Sequence, residues 1–255
     1  MKNSEVIEIF EESNNIVVIS GAGISVPSGI PDFRSANSGV WENHDPMKVA
    51  NIVEFHKNPD AFYDWLEPLV ESMKTAEPND AHLALVELEE MGKLSGIVTQ
   101  NIDGLHERAG SSNVFPVHGH CNSMTCVSCG EKVQTTKETW DEILEDGTPW
   151  CEVCKENDSE LSPMKPDVVL FGENLPIEVY DDAIKCLEES DLCVVIGSSL
   201  QVAPVSLLPG LAMSMDIPVV IFNIGETMMD DYSLVVQGDV SKTLPAIVKK
   251  LQETS

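Results

Sequence analysis

The feature that most constrains this chain is a short apolar run that ends in a glycine-rich segment. The run Ile16-Val-Val-Ile-Ser20 is followed at once by Gly21-Ala-Gly-Ile-Ser25. The run predicts a buried strand. The two glycines predict a loop whose backbone N–H groups close around an anion, because glycine has no Cβ to collide with a phosphate. The segment therefore predicts the start of a dinucleotide site.

This loop differs from the fingerprint of hydride-transferring dehydrogenases. That fingerprint requires a third glycine, here at position 26, and an acidic residue about 20 residues further on. Val26 and Pro27 stand at this point instead. We therefore expect a nucleotide loop that does not serve hydride transfer.

Strand and helix patterns alternate along much of the chain. Apolar runs rich in Val and Ile predict strands buried on both faces at 16–19, 96–98, 192–196, 218–222 and 234–236. Apolar residues at helical spacing between these runs, as in 81–91, predict amphipathic helices. The fold class is therefore α/β, with a doubly wound, parallel, Rossmann-like sheet.

Two stretches interrupt this alternation. Residues 35–78 have no strand signal, and their aromatic residues predict a helical insertion with its own apolar cluster: Trp41, Phe55, Phe62, Tyr63 and Trp65. Residues 119–163 hold paired cysteines and few aliphatic residues. We therefore predict a Rossmann-like dinucleotide-binding domain of residues 1–34, 79–118 and 164–255, a helical insertion of residues 35–78 and a metal-binding module of residues 119–163.

Two Cys-x-x-Cys pairs mark the second of these stretches. They comprise Cys126 with Cys129 and Cys151 with Cys154, and 21 residues separate the pairs. Such spacing is typical of a tetrahedral zinc site, in which four sulfur ligands leave no open position for catalysis. We predict one structural zinc ion, whose binding free energy, on the order of 10 kcal/mol, folds a segment poor in apolar residues.

The chain is strongly acidic, with 15 Lys and Arg residues, 43 Asp and Glu residues and a formal net charge of -28. Because phosphate contacts require clustered Lys and Arg, this balance argues against direct binding to nucleic acid. The acidity either serves solubility or steers a lysine-rich partner towards the protein. The salt dependence of turnover separates these alternatives, because ions screen steering.

The chain has no apolar stretch near the roughly 20 residues that a membrane-spanning helix requires. Its N-terminus, Met1-Lys-Asn-Ser-Glu-Val-Ile-Glu, is acidic and amphipathic, unlike a signal peptide. Paired cysteines in a reducing compartment indicate metal binding. We expect a cytoplasmic protein that does not bind membranes, and the sequence leaves its oligomeric state open.

Two further polar motifs lie near predicted strands. Thr99-Gln-Asn-Ile-Asp-Gly-Leu-His106 follows the strand at 96–98, so we expect it at the sheet edge that holds the glycine loop. Its Asn101 and Asp103 either recognise a carboxamide through one donor and one acceptor, or form a turn before a helix. His118 is either a structural histidine or a general base that titrates near neutral pH.

Together these motifs resemble those of the sirtuin family, in its bacterial and archaeal form. In the family's order the chain contains Gly21-Ala-Gly-Ile-Ser25, Gly29-Ile-Pro-Asp-Phe-Arg34, the motif 99–106, His118-Gly119, the cysteine pairs, Pro166-Asp-Val-Val-Leu-Phe-Gly-Glu173, Gly197-Ser-Ser-Leu-Gln201 and Asn223. The resemblance spans nearly the whole chain. It implies a Rossmann-like domain with a helical insertion and a small zinc module.

The resemblance also implies an activity. Sirtuins use NAD to remove the acetyl group from lysine in a protein or peptide substrate, and release nicotinamide and O-acetyl-ADP-ribose. His118 is then the implied general base, and Asn101 and Asp103 belong to the implied catalytic set. Phe33 is expected to shield the reactive carbon from water. The implied cofactors are NAD and one zinc ion.

The remaining implied contacts concern NAD and the substrate peptide. The nicotinamide pocket is implied for Ala22, Ile30, Asn101, Ile102 and Asp103. Phosphate and ribose contacts are implied for Gly21, Gly23, Ser25, Arg34, Gln100, Gly197, Ser198, Ser199 and Asn223, and adenine contacts for Asp239 and Val240. The substrate peptide is expected to add as a strand along Val169, Phe171 and Gly172.

One departure from the family pattern bears on acyl preference. Sirtuins that prefer succinyl or malonyl lysine have Tyr and, three residues later, Arg in the helical insertion, whereas Tyr63 is followed here by Leu66. Without a cation beside it, a carboxylate on the acyl group is costly to desolvate. We therefore expect acetyl or another neutral acyl group.

Two alternative functions use the same residues. One is a mono-ADP-ribosyltransferase, which transfers from NAD to a different acceptor. The other is a non-catalytic protein that senses NAD and binds partners. His118 and the substrate strand favour the deacetylase over the first alternative, and the joint presence of Phe33, Asn101, Asp103 and His118 favours it over the second.

Overall fold

The computed structural model describes residues 2–35, 39–157 and 161–254. In chain order the strands are β1 (Ile16–Ser20), β2 (Leu94–Thr99), β3 (Val114–Pro116), β4 (Gly119–Cys126), β5 (Lys132–Gln134), β6 (Met164–Val168), β7 (Leu192–Ile196), β8 (Val219–Asn223) and β9 (Leu234–Gln237). The helices are α1 (Lys2–Glu12), α2 (Pro46–Val49), α3 (Ile52–Lys57), α4 (Pro59–Thr75), α5 (Asp80–Glu90), α6 (Leu105–Ala109), α7 (Lys137–Asp146), α8 (Glu152–Glu156), α9 (Ile177–Glu188), α10 (Leu208–Ser214) and α11 (Val240–Thr254).

The larger sheet is parallel and has the order β3-β2-β1-β7-β8-β9. β1 pairs with β2 on one side and with β7 on the other, so the strand order reverses there. β1 and β7 are buried along their whole length, as expected of strands covered on both faces. The predicted doubly wound α/β class is confirmed, and each predicted strand lies in this sheet. β3 was not predicted, because three residues ending in proline give little pattern.

Helices α1, α5 and α11 build much of the core beside this sheet. Their buried apolar residues include Phe10, Leu85 and Leu244, and the Phe10 ring meets Phe222 edge-on with the centroids 6.2 Å apart. In the part of the chain that the structure describes, no helix is both long and apolar enough to cross a membrane.

The chain divides into two compact units. The larger comprises Met1–Asp32, Glu77–Val117 and Pro176–Ser255, and the smaller comprises Phe33–Ala76 and His118–Leu175. The segments predicted as an insertion and a metal-binding module thus lie in one unit. Residues 164–175, which the sequence grouped with the dinucleotide-binding domain, belong to the smaller unit because β6 pairs antiparallel with β4.

The smaller unit combines an antiparallel sheet with the helices of its first segment. The sheet has the order β5-β4-β6. The Phe55 and Phe62 rings pack edge-on at 5.2 Å, and Trp41 stacks on Trp65 at 5.5 Å. The predicted aromatic cluster is therefore confirmed.

In the larger unit, the backbone of Gly197 packs directly on the backbone of Gly23, and a substitution at Gly197 tests this contact. Its φ of 58° lies in the left-handed region, and a Cβ there would lie 2.7 Å from the Gly23 Cα. Because the left-handed conformation alone costs a non-glycine residue about 1–2 kcal/mol, we expect Gly197→Ala to lower the free energy of unfolding by more than about 2 kcal/mol. Urea denaturation measures this change.

Gly210 offers a matched control in α10, because an added Cβ meets no atom within 4 Å. We expect Gly210→Ala to raise the free energy of unfolding by roughly 0.5–1 kcal/mol, the usual gain on replacing glycine inside a helix. Equal losses of unfolding free energy in the two variants would contradict the close approach of the Gly197 backbone to the Gly23 backbone.

Candidate functional site

The carboxyl edge of the parallel sheet brings together the loops that the sequence singled out. β1 leads into 21–25, β2 into 100–104 and β7 into 197–199, while β8 ends at Asn223. Because these strands are parallel neighbours, the loops leave the same edge of the sheet. The predicted residues of the larger unit therefore gather where the strand order reverses, which is where doubly wound proteins bind ligands.

Two glycine-containing loops pack backbone against backbone at this edge. The Gly21 N–H donates to the Ile196 carbonyl (2.9 Å), and the Gly23 N–H donates to the Gly197 carbonyl (2.8 Å). Both glycine N–H groups are therefore bonded within the larger unit. The glycines are needed because any Cβ would keep the two loops apart.

The carboxylate of a half-buried residue, Asp103, organises the loop after β2. The Ser25 hydroxyl donates to Asp103 Oδ2 (2.7 Å), and the Leu105 N–H donates to Oδ1 (2.9 Å). The Asn101 side chain donates to Ser25 Oγ and to the Gly21 carbonyl, both at 3.3 Å. Burial raises the pKa of Asp103 more than its hydrogen bonds lower it. Since a carboxylate accepts about four hydrogen bonds, Asp103 retains capacity for a ligand amide.

Sequence reasoning missed a buried polar chain beneath this loop. His106 Nε2 lies 2.8 Å from Ser20 Oγ, which donates to Thr99 Oγ1 (2.9 Å). Thr99 Oγ1 also accepts from the Asn101 N–H (3.1 Å). The chain ties the ends of β1 and β2 to the backbone of Asn101. The polar residues at two strand ends were a signal, but no spacing rule pairs residues so far apart in sequence.

A second buried histidine, His82, lies beside His106, with the ring centroids 5.0 Å apart. Burial lowers the pKa of His82 to about 4, and burial together with His82 lowers the pKa of His106 to about 3. Both rings are therefore neutral at pH 7. Asn79 donates its N–H to His82 Nδ1 (3.3 Å) and its side-chain amide to the Ile24 carbonyl (2.8 Å), which anchors the glycine loop to α5.

The remaining predicted NAD contacts of the larger unit lie along this edge or beside it. Gln100 Nε2 donates to Ser198 Oγ (2.9 Å), which links the loops after β2 and β7. Asn223 Nδ2 donates to the carbonyl two residues on (2.9 Å). Asp239 caps α11 just before Val240, because its carboxylate accepts from the N–H two residues on (3.0 Å). Ile30 is buried, and the half-buried residues are Ala22, Ile102 and Ser199.

In the smaller unit, His118 stands immediately before β4. Its carbonyl accepts from the Val169 N–H (2.8 Å). Gly119 follows with a φ of 77°, and a Cβ there would overlap the Asp167 carbonyl oxygen. The backbone of His118 is therefore fixed against the segment that the sequence assigns to the substrate.

The segment that the sequence assigns to the substrate peptide follows β6. β6 ends at Val168, and the chain turns at Gly172, whose φ is 93°. Phe171 donates its N–H to the Ala50 carbonyl (2.8 Å) and accepts from the Ile52 N–H (3.0 Å). Because these groups are bonded within the unit, an added peptide strand must pair with other backbone groups of the segment.

Phe33 lies at the end of an aromatic stack. Its ring centroid is 5.1 Å from that of Trp41, which in turn stacks on Trp65 at 5.5 Å. The Phe33 carbonyl also accepts from the Trp41 N–H (3.0 Å). Phe33 is thus held by both its ring and its backbone, while the neighbouring Arg34 is exposed.

The two positions that bear on acyl preference are both buried. Tyr63 donates its hydroxyl to the Met164 carbonyl (2.8 Å), and burial together with Cys121 raises the pKa of Tyr63. Leu66 is 1% exposed. Neither side chain offers a cation to an acyl carboxylate.

The four paired cysteines converge on one centre. Cys126 ends β4, Cys151 precedes α8 and Cys154 lies within α8. The sulfur of Cys126 is 3.7 Å from that of Cys154, Cys129 and Cys151 are 3.6 Å apart, and all four sulfurs lie within 4.8 Å of one another. A tetrahedron with Zn–S bonds of about 2.3 Å has sulfur–sulfur edges of about 3.8 Å. The donor set therefore fits one four-coordinate zinc ion with no open position.

Removal of one ligand tests the metal centre. We expect one zinc ion per chain in the wild type, and a zinc content near zero with a lowered thermal midpoint in Cys154→Ser, because three thiolates bind zinc more weakly than four. Cys186→Ser is the control, since Cys186 is a half-buried residue of α9 outside the cluster. Elemental analysis of the purified proteins measures zinc, and full zinc content in Cys154→Ser would contradict the assignment.

The buried carboxyl of Asp103 predicts a pH dependence of stability. Because its pKa in the folded protein is raised above the ordinary value of 3.8, the folded protein binds this proton more tightly than the unfolded chain does. The free energy of unfolding therefore falls as the pH rises through the interval between the two pKa values. We expect Asp103→Asn to gain stability relative to the wild type as the pH rises above about 4.

Urea denaturation at a series of pH values measures this difference. Asp182→Asn is the control, because its carboxylate is exposed and bonds Lys185 at the surface (2.7 Å). Parallel profiles of unfolding free energy against pH for the wild type and Asp103→Asn would show that burial does not disfavour the charged form of Asp103.

Comparison with known proteins agrees with this geometry. A family model described as the Sir2 family matches residues 21–204. A protein named NAD-dependent protein deacetylase 2 from Caldanaerobacter subterraneus subsp. tengcongensis is 44% identical over 223 residues, which cover 88% of this chain and 85% of the relative. One named NAD-dependent protein deacylase 2 from Archaeoglobus fulgidus is 39% identical over 250 residues, covering 96% and 94%.

Solved structures show the same likeness over the whole fold. A complex described as Sir2, a p53 peptide and NAD+ is 36% identical, with a TM-score of 0.86 and coverage of 100% of both chains. A Sir2 homologue in complex with NAD is 33% identical, with a TM-score of 0.88 and coverage of 98% of this chain and 94% of the other. From its motifs, its sheet order and these matches, the chain belongs to the Sir2 family.

Proposed function

We propose that this chain is an NAD-dependent protein lysine deacetylase, which converts NAD, an acetyl-lysine peptide and one water molecule into free lysine, nicotinamide and O-acetyl-ADP-ribose. The observation that carries the proposal is the bonded cluster of Ser25, Asn101 and Asp103 where the strand order of the sheet reverses. The names of the relatives and the solved complex with peptide and NAD+ support the same activity.

NAD is a consumed substrate in this reaction, since its ADP-ribosyl group leaves in a product. The larger unit offers the polar groups that nicotinamide needs. Asp103 accepts from the carboxamide N–H, and Asn101, whose two side-chain bonds are long at 3.3 Å, exchanges one of them for the carboxamide carbonyl. Positioning of the acetyl oxygen behind the departing nicotinamide supplies much of the rate, because the displacement then resembles an intramolecular reaction.

His118 is proposed as the general base that accepts a proton from a ribose hydroxyl. Imidazole suits this role because its unperturbed pKa lies near neutral pH. The bond from the Val169 N–H to the His118 carbonyl, and the close packing of the next residue, Gly119, on Asp167, limit how far His118 can move. Phe33, held by its stack on Trp41, is proposed to exclude water from the reacting carbon and so limit hydrolysis of NAD.

We assign different tasks to different parts of the chain. Residues 1–34, 79–118 and 164–255 are proposed to bind NAD, with the helical insertion 35–78 and the zinc module 119–163 supporting the peptide and the catalytic histidine. Among the site residues, Gly21, Gly23, Gln100, Gly197 and Ser198 are proposed for the phosphates and riboses. The zinc ion takes no part in the chemistry, because four thiolates fill its coordination sphere.

We infer a cytoplasmic location and a basic peptide partner. The cysteines of the described residues are unbonded to one another, which suits a reducing compartment. The net charge of -28 favours lysine-rich peptides and opposes direct contact with nucleic acid.

Replacement of the proposed base tests the mechanism. We expect His118→Ala to lower peptide deacetylation by about 10²- to 10⁴-fold, the usual contribution of a general base, with a much smaller loss in the exchange of labelled nicotinamide into NAD. His56→Ala, which changes an exposed histidine of α3, is the control. Deacetylation and exchange are measured on the same preparations with an acetyl-lysine peptide.

The same assay separates the alternatives. Label that passes from NAD to protein without loss of acetyl would indicate a mono-ADP-ribosyltransferase. Binding of NAD without any peptide-dependent release of nicotinamide would indicate a sensor. Either outcome contradicts the deacetylase.

Acyl preference follows from Tyr63 and Leu66, both of which are buried and neutral. A succinyl carboxylate that enters a site without a paired cation loses its hydration, so we expect kcat/KM to be at least about 10-fold lower for succinyl-lysine than for acetyl-lysine. Butyryl-lysine, which adds length without charge, is the matched control substrate. Comparable kcat/KM for the succinyl and acetyl peptides would show that the cation lies elsewhere.

A further inference from the structure

The pairing between β4 and β6 contains a bulge next to His118. Gly119 pairs with Val168, and Met124 pairs with Pro166. Between these two pairs β4 therefore contains more residues than β6. The extra residues of β4 must leave the ladder, and a bulge of this kind re-aims the chain on either side of it. The direction in which the chain leaves β4 towards His118 therefore depends on what holds the bulge.

Asp167 holds it through its side chain. The carboxylate accepts from the hydroxyl of Ser123 and from Thr125 Oγ1 (2.6 Å), both on β4, and it pairs with Lys132 of β5 (2.9 Å). Partial burial raises the pKa of Asp167, but these three donors outweigh it and lower the pKa. One carboxylate thus ties β6 to both other strands of the small sheet.

The main chain of Asp167 meets the same region from the other side. Its carbonyl oxygen packs against Gly119 so closely that a Cβ there would overlap it. Two residues further on, the Val169 N–H donates to the His118 carbonyl (2.8 Å). The side chain of Asp167 holds the bulge and its main chain packs at the end of the bulge, so loss of the carboxylate is expected to displace the backbone that carries His118.

We infer that Asp167 is a positioning residue for His118. The inference rests on the proposed function, because it takes His118 as the base. A displacement of about 1 Å in a reacting group costs up to 10²-fold in rate. Loss of the carboxylate should therefore weaken the step that needs the base and spare the step in which nicotinamide leaves.

The experiment compares deacetylation with nicotinamide exchange in the full-length, zinc-loaded protein. For Asp167→Ala we expect kcat for deacetylation to fall by about 10- to 100-fold, with exchange changed by less than about 3-fold. Asp167→Asn, which keeps an oxygen acceptor, should fall between Asp167→Ala and the wild type. Zinc content and the thermal midpoint are recorded for every variant.

Asp60→Asn is the matched control. Asp60 also accepts a threonine hydroxyl, from Thr148, and lies in the same unit, but it has no bond to β4 or β6. We expect Asp60→Asn to keep both rates within about 3-fold of the wild type, which is the limit also set for the exchange rate of Asp167→Ala.

Three outcomes would overturn the inference. They are an equal fall of both rates in Asp167→Ala, an unchanged deacetylation rate in that variant, and the same selective loss in Asp60→Asn. If Asp167→Ala does not fold, the paired change Ser123→Ala with Thr125→Val removes two of the donors, and the same selective loss is then required. A wild type without deacetylation, or a His118→Ala variant that loses both rates equally, would instead reject the proposed function.

Discussion

The close approach of two backbones where the strand order reverses is the constraint on which the candidate site depends. Gly23 donates to the Gly197 carbonyl at 2.8 Å, and only residues without a Cβ allow these loops to meet. That contact sets where Ser25 can stand, and Ser25 in turn bonds Asp103. The geometry of the polar cluster therefore depends on glycine, which has no Cβ, at the two positions where the loops touch.

Neutral polar groups then hold the cluster from below. His82 and His106 are buried with lowered pKa values, and the path from His106 through Ser20 and Thr99 reaches the backbone of Asn101. Both rings stay uncharged because burial of a charged ring is costly, and the second nitrogen of each ring, His82 Nε2 and His106 Nδ1, is buried without a hydrogen-bond partner among the described residues. The bonded path itself ties the backbone of Asn101 to the ends of β1 and β2.

Patterns that are local in sequence predicted much of the fold. The Val- and Ile-rich runs indicated the strands of the parallel sheet, and the cysteine spacing indicated the metal centre. Interactions between distant segments could not be predicted in this way. The bond between Ser20 and His106 and the pairing of β6 with β4 both join residues far apart in the chain. The contact of Gly21 with the end of β7 also escaped prediction, because a glycine that packs on another backbone carries no sequence signal of its own.

The metal centre has a consequence for how the chain can vary. Four thiolates fix the ends of the cysteine pairs, and the interval between Cys129 and Cys151 holds the exposed strand β5 and helix α7, with Trp140 and Ile143 as its buried apolar residues. The entropy of closing such a loop grows only slowly with its length. Insertions and deletions should therefore accumulate between the pairs during evolution, while the spacing within each pair stays constant. Within this interval the exposed turn at Gly147, where an added Cβ meets no atom within 4 Å, is the natural place to graft a tag or a new recognition segment.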